Sequence, residues 1–146
     1  YGHFDLPLFG KHMLLNALAV IGLCHYERMD AKEVAKSLKT FKGAERRFKE
    51  TFVGNNVIAD DYAHHTTEIK ATLAAAKQKE HNKIIAAFQP HTFSRTKELL
   101  DDFAHAFKDA DVVLFMDIYA AREIDDGTIS SKDVVKLVNE SGTKAV

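Results

Sequence analysis

The sequence predicts an α/β protein: a Rossmann-like, mostly parallel open sheet flanked by helices and preceded by a helical hairpin. Three observations carry that expectation. Strand-like and helix-like periods alternate from about residue 47 to residue 140. The runs at 83–88 (Lys-Ile-Ile-Ala-Ala-Phe) and 111–116 (Asp-Val-Val-Leu-Phe-Met) are nearly all apolar, the pattern of central parallel strands covered on both faces. The first forty residues carry two helical patterns separated by a short break. Short connections between alternating elements imply right-handed crossovers.

Taken in order, residues 1–9 lack helical periodicity, and Pro7 favours an extended approach. Gly10-Lys11 leads into a helix over 12–27 with Leu15, Leu18, Ala19 and Leu23 on one face. Asp30-Ala31-Lys32-Glu33 has the spacing of a capping box and starts a second helix that ends near Thr40. Phe41-Lys42-Gly43 breaks the pattern. Strands are expected near 47–53 and 56–59, the latter short and buried. A helix over 67–79 follows, with Ile69, Leu73 and Ala76 at helical spacing. The 83–88 and 111–116 strands flank a helix over 95–107. Ser130 and Ser131 offer caps for a last helix over 132–140, and Lys144-Ala145-Val146 reads as the start of another strand. The opening lacks methionine, so the sequence reads as a piece of a longer protein.

Composition sets limits. At 146 residues, 46% hydrophobic and 28% charged, the chain is globular and long enough to bury a core. A net charge of −1 provides no global field for nucleic acid or anionic lipid, so any phosphate binding is local. No apolar run approaches the roughly 18–20 residues of a membrane span. The lone Cys24 lies in the apolar stretch 17–26, reads as a small buried hydrophobe and excludes an intramolecular disulfide. A cytoplasmic location fits best.

Three expected strand ends share one pattern. After 56–59 come Asp60, Asp61, Tyr62, His64 and His65; after 83–88 come Gln89-Pro90-His91-Thr92-Phe93-Ser94-Arg95-Thr96; after 111–116 come Asp117, Tyr119, Arg122 and Glu123. Carboxyl ends of parallel strands lie on one edge, where α/β proteins bind ligands. Asp61 can accept two hydrogen bonds at once, as a ribose diol requires. Arg47 and Arg95 offer planar forks for phosphate or carboxylate, although a pair such as Arg46-Arg47 ordinarily reads as solvated surface charge. Ser94 or Thr92 is placed to cap the following helix, whose N-terminus favours an anion. Asn16 lies one turn after His12; its amide suits either a base edge or a nearby loop carbonyl. The 60–70 run by itself reads as a solvated loop with a helix cap, as a ligand site, or as a metal site built from Asp60, Asp61, His64 and His65. Its spacing gives the metal reading little support. No G-x-x-x-x-G-K-S/T phosphate loop occurs in the sequence.

Asp60-Asp-Tyr-Ala-His-His-Thr-Thr-Glu-Ile69 closely resembles the Asp-Asp-Tyr-x-His-His-Pro-x-Glu-Ile signature of the Mur ligases. Phe88-Gln-Pro-His-Thr-Phe-Ser-Arg-Thr96 resembles a second signature, carried by the member that acts on UDP-N-acetylmuramate and L-alanine. Gly10-Lys-His-Met-Leu-Leu-Asn-Ala-Leu18, Gly43-Ala-Glu-Arg-Arg-Phe48 and Ile118-Tyr-Ala-Ala-Arg-Glu123 resemble three more motifs of that member. The resemblance implies part of an ATP-dependent amide ligase of cytoplasmic peptidoglycan precursor synthesis. In such an enzyme L-alanine is joined to UDP-N-acetylmuramate through an acyl phosphate.

It further implies that residues 1–43 end a central ATPase domain and that 44–146 form a C-terminal Rossmann-like ligase domain, truncated at its C-terminus. ATP and magnesium would be held mainly by the central domain. The partners implied are UDP-N-acetylmuramate, L-alanine and the N-terminal and central domains of the same chain, with no nucleic acid and no membrane. Carried over position by position, Asn16, Arg47 and Asp61 correspond to nucleotide-binding residues. Tyr62, His64, His91 and Arg95 correspond to residues facing the muramate or amino-acid side. No residue here is expected to be catalytic or to form a dedicated metal site, and the piece alone is expected to be inactive.

Three positions depart from the family pattern: Met13 replaces an asparagine, Thr66 a proline, and Thr92 an arginine found in some relatives. Two other readings compete. One is a non-catalytic nucleotide-binding module that keeps the edge loops without the chemistry. The other is a metal-dependent hydrolase using the Asp-Asp-x-x-His-His run.

Overall fold

The computed structural model describes residues 1–146, which divide into two compact units, 1–62 and 63–146. In the first unit, α1 (Lys11–Tyr26) and α2 (Ala31–Thr40) pack on each other as the expected helical hairpin. Gly10 starts α1 at φ 95°, a backbone conformation that favours glycine. No α1 residue is buried, and Leu15, Leu18 and Leu23 on its apolar face are exposed. Asp30 caps α2 by accepting the Lys32 N–H at 2.8 Å, and Val34 is the buried residue of that helix. Cys24 is half-buried.

The two strands that follow correct the sequence reading. β1 (Lys49–Val53) and β2 (Asn56–Asp60) pair antiparallel, with Val53 opposite Asn56 across a two-residue Gly54-Asn55 turn. Gly54 has φ 58°, as the first position of a tight hairpin turn demands. Gly-Asn between two apolar runs is a hairpin signal, and it accounts for the pairing that alternation alone did not reveal. β2 is exposed along its whole length, so it is not the buried strand expected.

The second unit is a β-α-β unit with helices on one face. α3 (Thr66–Lys77) leads to β3 (Ile85–Phe88), followed by α4 (Phe93–Glu98), α5 (Leu100–Ala104), β4 (Val112–Phe115) and α6 (Ser131–Glu140). β3 and β4 pair in parallel, with Phe88 beside Phe115. The final residues add a third parallel line: Val113 N–H donates to Lys144 O at 2.8 Å, and Val146 N–H returns to Val113 O at 3.0 Å. The α4–α5 stretch is the expected helix with a break at Leu99 (φ −98°, ψ 14°).

Ile69 and Leu73 from α3, Phe103 and Phe107 from the α5 region, and Val134 and Val138 from α6 cover Phe88, Val113 and Ala145. Phe88, Phe107 and Phe115 meet edge to face, with centroids 5.2–6.0 Å apart. The opposite sheet face is open: Ile85 is 58% and Leu114 44% exposed. The apolar runs were therefore expected to be covered on both faces and are covered on one.

Both serines before α6 are used. Ser130 donates its N–H and hydroxyl to Asp133 Oδ2, which closes a capping box, while Ser131 Oγ donates to Met116 O and ties the helix start to the end of β4.

His65 caps α3: its Nδ1 accepts the Thr67 N–H at 3.2 Å, and Glu68 accepts the N–H groups of His64 and His65. Thr66 is thus the first helical residue, where proline's fixed φ suits the helix and its missing N–H costs nothing. Thr66→Pro is expected to raise stability by about 0.5–1 kcal/mol through the unfolded state. A higher urea midpoint at unchanged slope would show it; a lower midpoint would mean that the buried Thr66 side chain matters more than the turn.

Candidate functional site

The expected site residues fall into two groups, one in each unit. In the first unit, Arg46-Arg47-Phe48 is a turn and not the start of a strand. Arg46 and Phe48 have φ 57° and 51°, and Arg47 N–H donates to Ala44 O at 3.3 Å. The turn is closed from β2: Asp61 Oδ2 accepts the Phe48 N–H at 3.0 Å, and Tyr62 N–H donates to Arg46 O at 2.8 Å. The Arg46 guanidinium lies 4.4 Å from the centre of the exposed Tyr62 ring, a cation–π contact. Asp61 thus already gives one carboxylate oxygen to the backbone. Asn16 is exposed on α1, so its amide has no need of an internal partner.

In the second unit, β3 and β4 deliver their following loops to one edge, as the parallel pairing predicts. His91 bridges to Tyr119 in parallel, with ring centroids 5.3 Å apart. One helical turn later, an Arg95 terminal nitrogen donates to His91 O at 3.2 Å and lies 3.4 Å from His91 Nδ1. Thr96, 1% exposed, fixes that turn by donating its hydroxyl to Thr92 O at 2.6 Å. His91, Arg95 and Tyr119 therefore form one cluster of an imidazole, a guanidinium and a phenol. His64 is half-buried beside Glu68, with Nδ1 3.5 Å from the carboxylate. The third expected strand end, after 56–59, does not share this sheet, because β2 belongs to the hairpin.

Neither Thr92 nor Ser94 caps α4 with its side chain. The anion at that helix start is Glu123, which lies 29 residues further along: its Oε2 accepts the Ser94 N–H at 2.9 Å and its Oε1 the Ser94 hydroxyl. The Ser94 hydroxyl, then the Ser94 N–H, and then Thr92 and Phe93 hold the Glu123 carboxyl down at about 2. The sequence motif contains Glu123 but offers no sign of this role. Asp133, bonded by Ser130, and Asp126, bonded by Thr128, are lowered in the same way.

A carboxylate with a depressed folded pKa stabilises the fold above its unfolded value and loses that contribution as pH falls through the folded value. The difference in urea midpoint between the natural protein and Glu123→Gln should shrink as pH falls from about 4.5 to about 2. A constant difference across that window would contradict the assignment.

No group of three or more His, Cys, Asp or Glu side chains converges to hold a metal. Asp61 faces Phe48, His64 faces Glu68, and His65 caps α3. These residues therefore form no ligand set for magnesium. No helix is long and apolar enough to cross a membrane.

A parallel β-α-β unit with a guanidinium and an imidazole at its carboxyl edge places the chain among α/β proteins, in which that edge is the ordinary place for a ligand. The chain belongs to the Mur ligase family: residues 46–146 match the family described as Mur ligase, glutamate ligase domain. Over 142 residues it is 51% identical to the UDP-N-acetylmuramate--L-alanine ligase of Ligilactobacillus salivarius (strain UCC118), covering 97% of this chain and 32% of that protein. Over 141 residues it is 52% identical to the enzyme of the same name from Streptococcus pneumoniae (strain Hungary19A-6), covering 95% and 32%. Its fold matches the UDP-N-acetylmuramate-alanine ligase of Thermotoga maritima with a TM-score of 0.77 and 33% identity, over 99% of this chain and 31% of that one. The chain thus spans about a third of the length of these relatives.

Proposed function

We propose that the chain is the C-terminal part of an ATP-dependent ligase that joins L-alanine to UDP-N-acetylmuramate in peptidoglycan precursor synthesis in the cytoplasm. The observation that carries this reading is identity above 50%, along nearly the whole chain, to ligases named for that substrate pair. On this reading residues 1–43 close a central ATPase domain and 44–146 belong to the ligase domain. The γ-phosphoryl group of ATP passes to the muramate carboxylate as ADP leaves, and the amine of L-alanine attacks the acyl phosphate, forming the amide and expelling phosphate. The residues of this chain bind and orient.

Arg95 faces an anionic group of the muramate substrate or the charge that develops on it, where a fixed guanidinium is most effective. His91, His64 and Tyr62 serve the muramate or amino-acid substrate. Asp61, Arg47 and Asn16 take the nucleotide, with Asp61 on the ribose through the carboxylate that also fixes the Arg46–Phe48 turn. Phosphoryl transfer needs a phosphate loop that this sequence lacks, so residues 1–146 alone release no phosphate from ATP.

The test is a separation of Michaelis constants in the full-length protein. Asp61→Ala should raise KM for ATP by roughly tenfold or more while leaving KM for L-alanine in place. An unchanged KM for ATP would remove Asp61 from the nucleotide site.

A further inference from the structure

Segment 117–128 leaves β4 and is fastened to segment 89–97 at four successive places. Gln89 Nε2 donates to Asp117 O at 3.1 Å, and Tyr119 N–H donates to Pro90 O at 2.8 Å. Ser94 gives its N–H and hydroxyl to Glu123, and Lys97 Nζ lies 3.5 Å from Thr128 Oγ1. Three of these joints are single hydrogen bonds. The Glu123 joint is different, because one ionised carboxylate collects several donors, and charge-assisted bonds are the strong ones.

The chain bends to place that carboxylate. Ala121 is held at φ 55°, and Glu123 N–H donates to Ala120 O at 3.0 Å. A non-glycine residue keeps a left-handed conformation only where its surroundings fix it. Arg95 directly follows Ser94, while His91 and Tyr119 lie within the fastened span.

We propose that Glu123 is a positioning residue: by clamping segment 117–128 to the start of α4, it holds Arg95 and His91 on one segment and Tyr119 on the other as a single anion-recognition unit. Glu123 acts through Ser94 and does not touch the reacting atoms. Its carboxyl remains ionised throughout the neutral range, so the clamp is permanent and not a switch. Recognition of a multi-point ligand depends on spacing to within about an ångström, so a loosened clamp weakens binding without removing any binding group. The inference rests on the reading that His91 and Arg95 receive the muramate-bearing substrate.

The experiment uses the full-length protein with Glu123→Ala and Glu123→Gln. Glu123→Ala should raise KM for UDP-N-acetylmuramate roughly tenfold and leave KM for ATP unchanged. Glu123→Gln should recover part of the loss, since the amide oxygen still accepts one Ser94 donor. A fall in kcat with both KM values unchanged is the mark of lost folded protein and would overturn the proposal, as would an equal rise in both KM values.

A second readout is independent of ligation. The ring resonances of His91 in histidine-labelled protein should move in either variant, while those of His81, bonded at Lys79 O, should not. If the natural protein makes no ligation product, the functional reading fails on its own and the His91 signals still decide the clamp. Static His91 signals overturn it. If Glu123→Ala does not fold, the same comparisons are made with Glu123→Gln.

Discussion

Replacing Arg95 with alanine in the full-length protein is expected to lower kcat/KM for UDP-N-acetylmuramate by roughly two orders of magnitude, about 3 kcal/mol. The guanidinium is half-buried on α4, and His91 O holds one of its terminal nitrogens. That bond fixes the side chain's direction and leaves other donors of the fork for an anion. Binding and developing negative charge both depend on such a donor set, so the loss should appear in KM and in kcat together. Arg95→Lys keeps the charge but not the fork, and should recover only part of the activity. The turn itself should survive, because Thr96 anchors it through Thr92 O. Steady-state kinetics alongside a circular-dichroism melt would check both halves of the prediction. Near-natural kinetics in Arg95→Ala would remove Arg95 from the site.

The largest effect on stability is expected at Phe107. Its ring is 1% exposed, lies 5.3 Å from Phe88 and 5.2 Å from Phe115 by centroid, and stacks near Phe103. Phe107→Ala removes the residue that joins the α5 region to both parallel strands, and neighbouring rings cannot collapse fully into the gap. A loss of about 3–5 kcal/mol follows from the transfer and cavity contributions. Phe52 offers the contrast: at 74% exposed on the β1 hairpin, its replacement by alanine should cost within about 0.5 kcal/mol. Urea unfolding of the two variants tests the pair, and similar midpoint shifts in both would contradict the described core.

Much of this architecture was legible in the sequence. The helical hairpin, α3, the parallel strands, α6 and the strand start at Lys144-Ala145-Val146 all follow from periodicity and caps, which are local properties of the chain. The errors concern what lies across from an element. The strand-like stretches near 47–53 and 56–59 were legible but their pairing was not, and the Gly54-Asn55 turn makes them a hairpin. The run containing Ile85 and Leu114 is apolar, yet apolarity does not determine how many faces are covered.

The candidate site divides along the same line. The parallel pair brings His91, Arg95 and Tyr119 to one edge as expected, while the expected strand end after 56–59 does not join them. Two details escaped because they depend on distant backbone. Left-handed conformations at Arg46 and Phe48 make a turn where a strand was expected. Glu123 occupies the α4 start across 29 residues of sequence, a pairing that no local pattern encodes.

The most direct measurement of the central claim is product analysis by mass spectrometry. Full-length protein would be incubated with ATP, magnesium, UDP-N-acetylmuramate and L-alanine. The account predicts UDP-N-acetylmuramoyl-L-alanine together with an equal amount of released phosphate. Phosphate release without that product, or no product under conditions where the protein is folded, would contradict it.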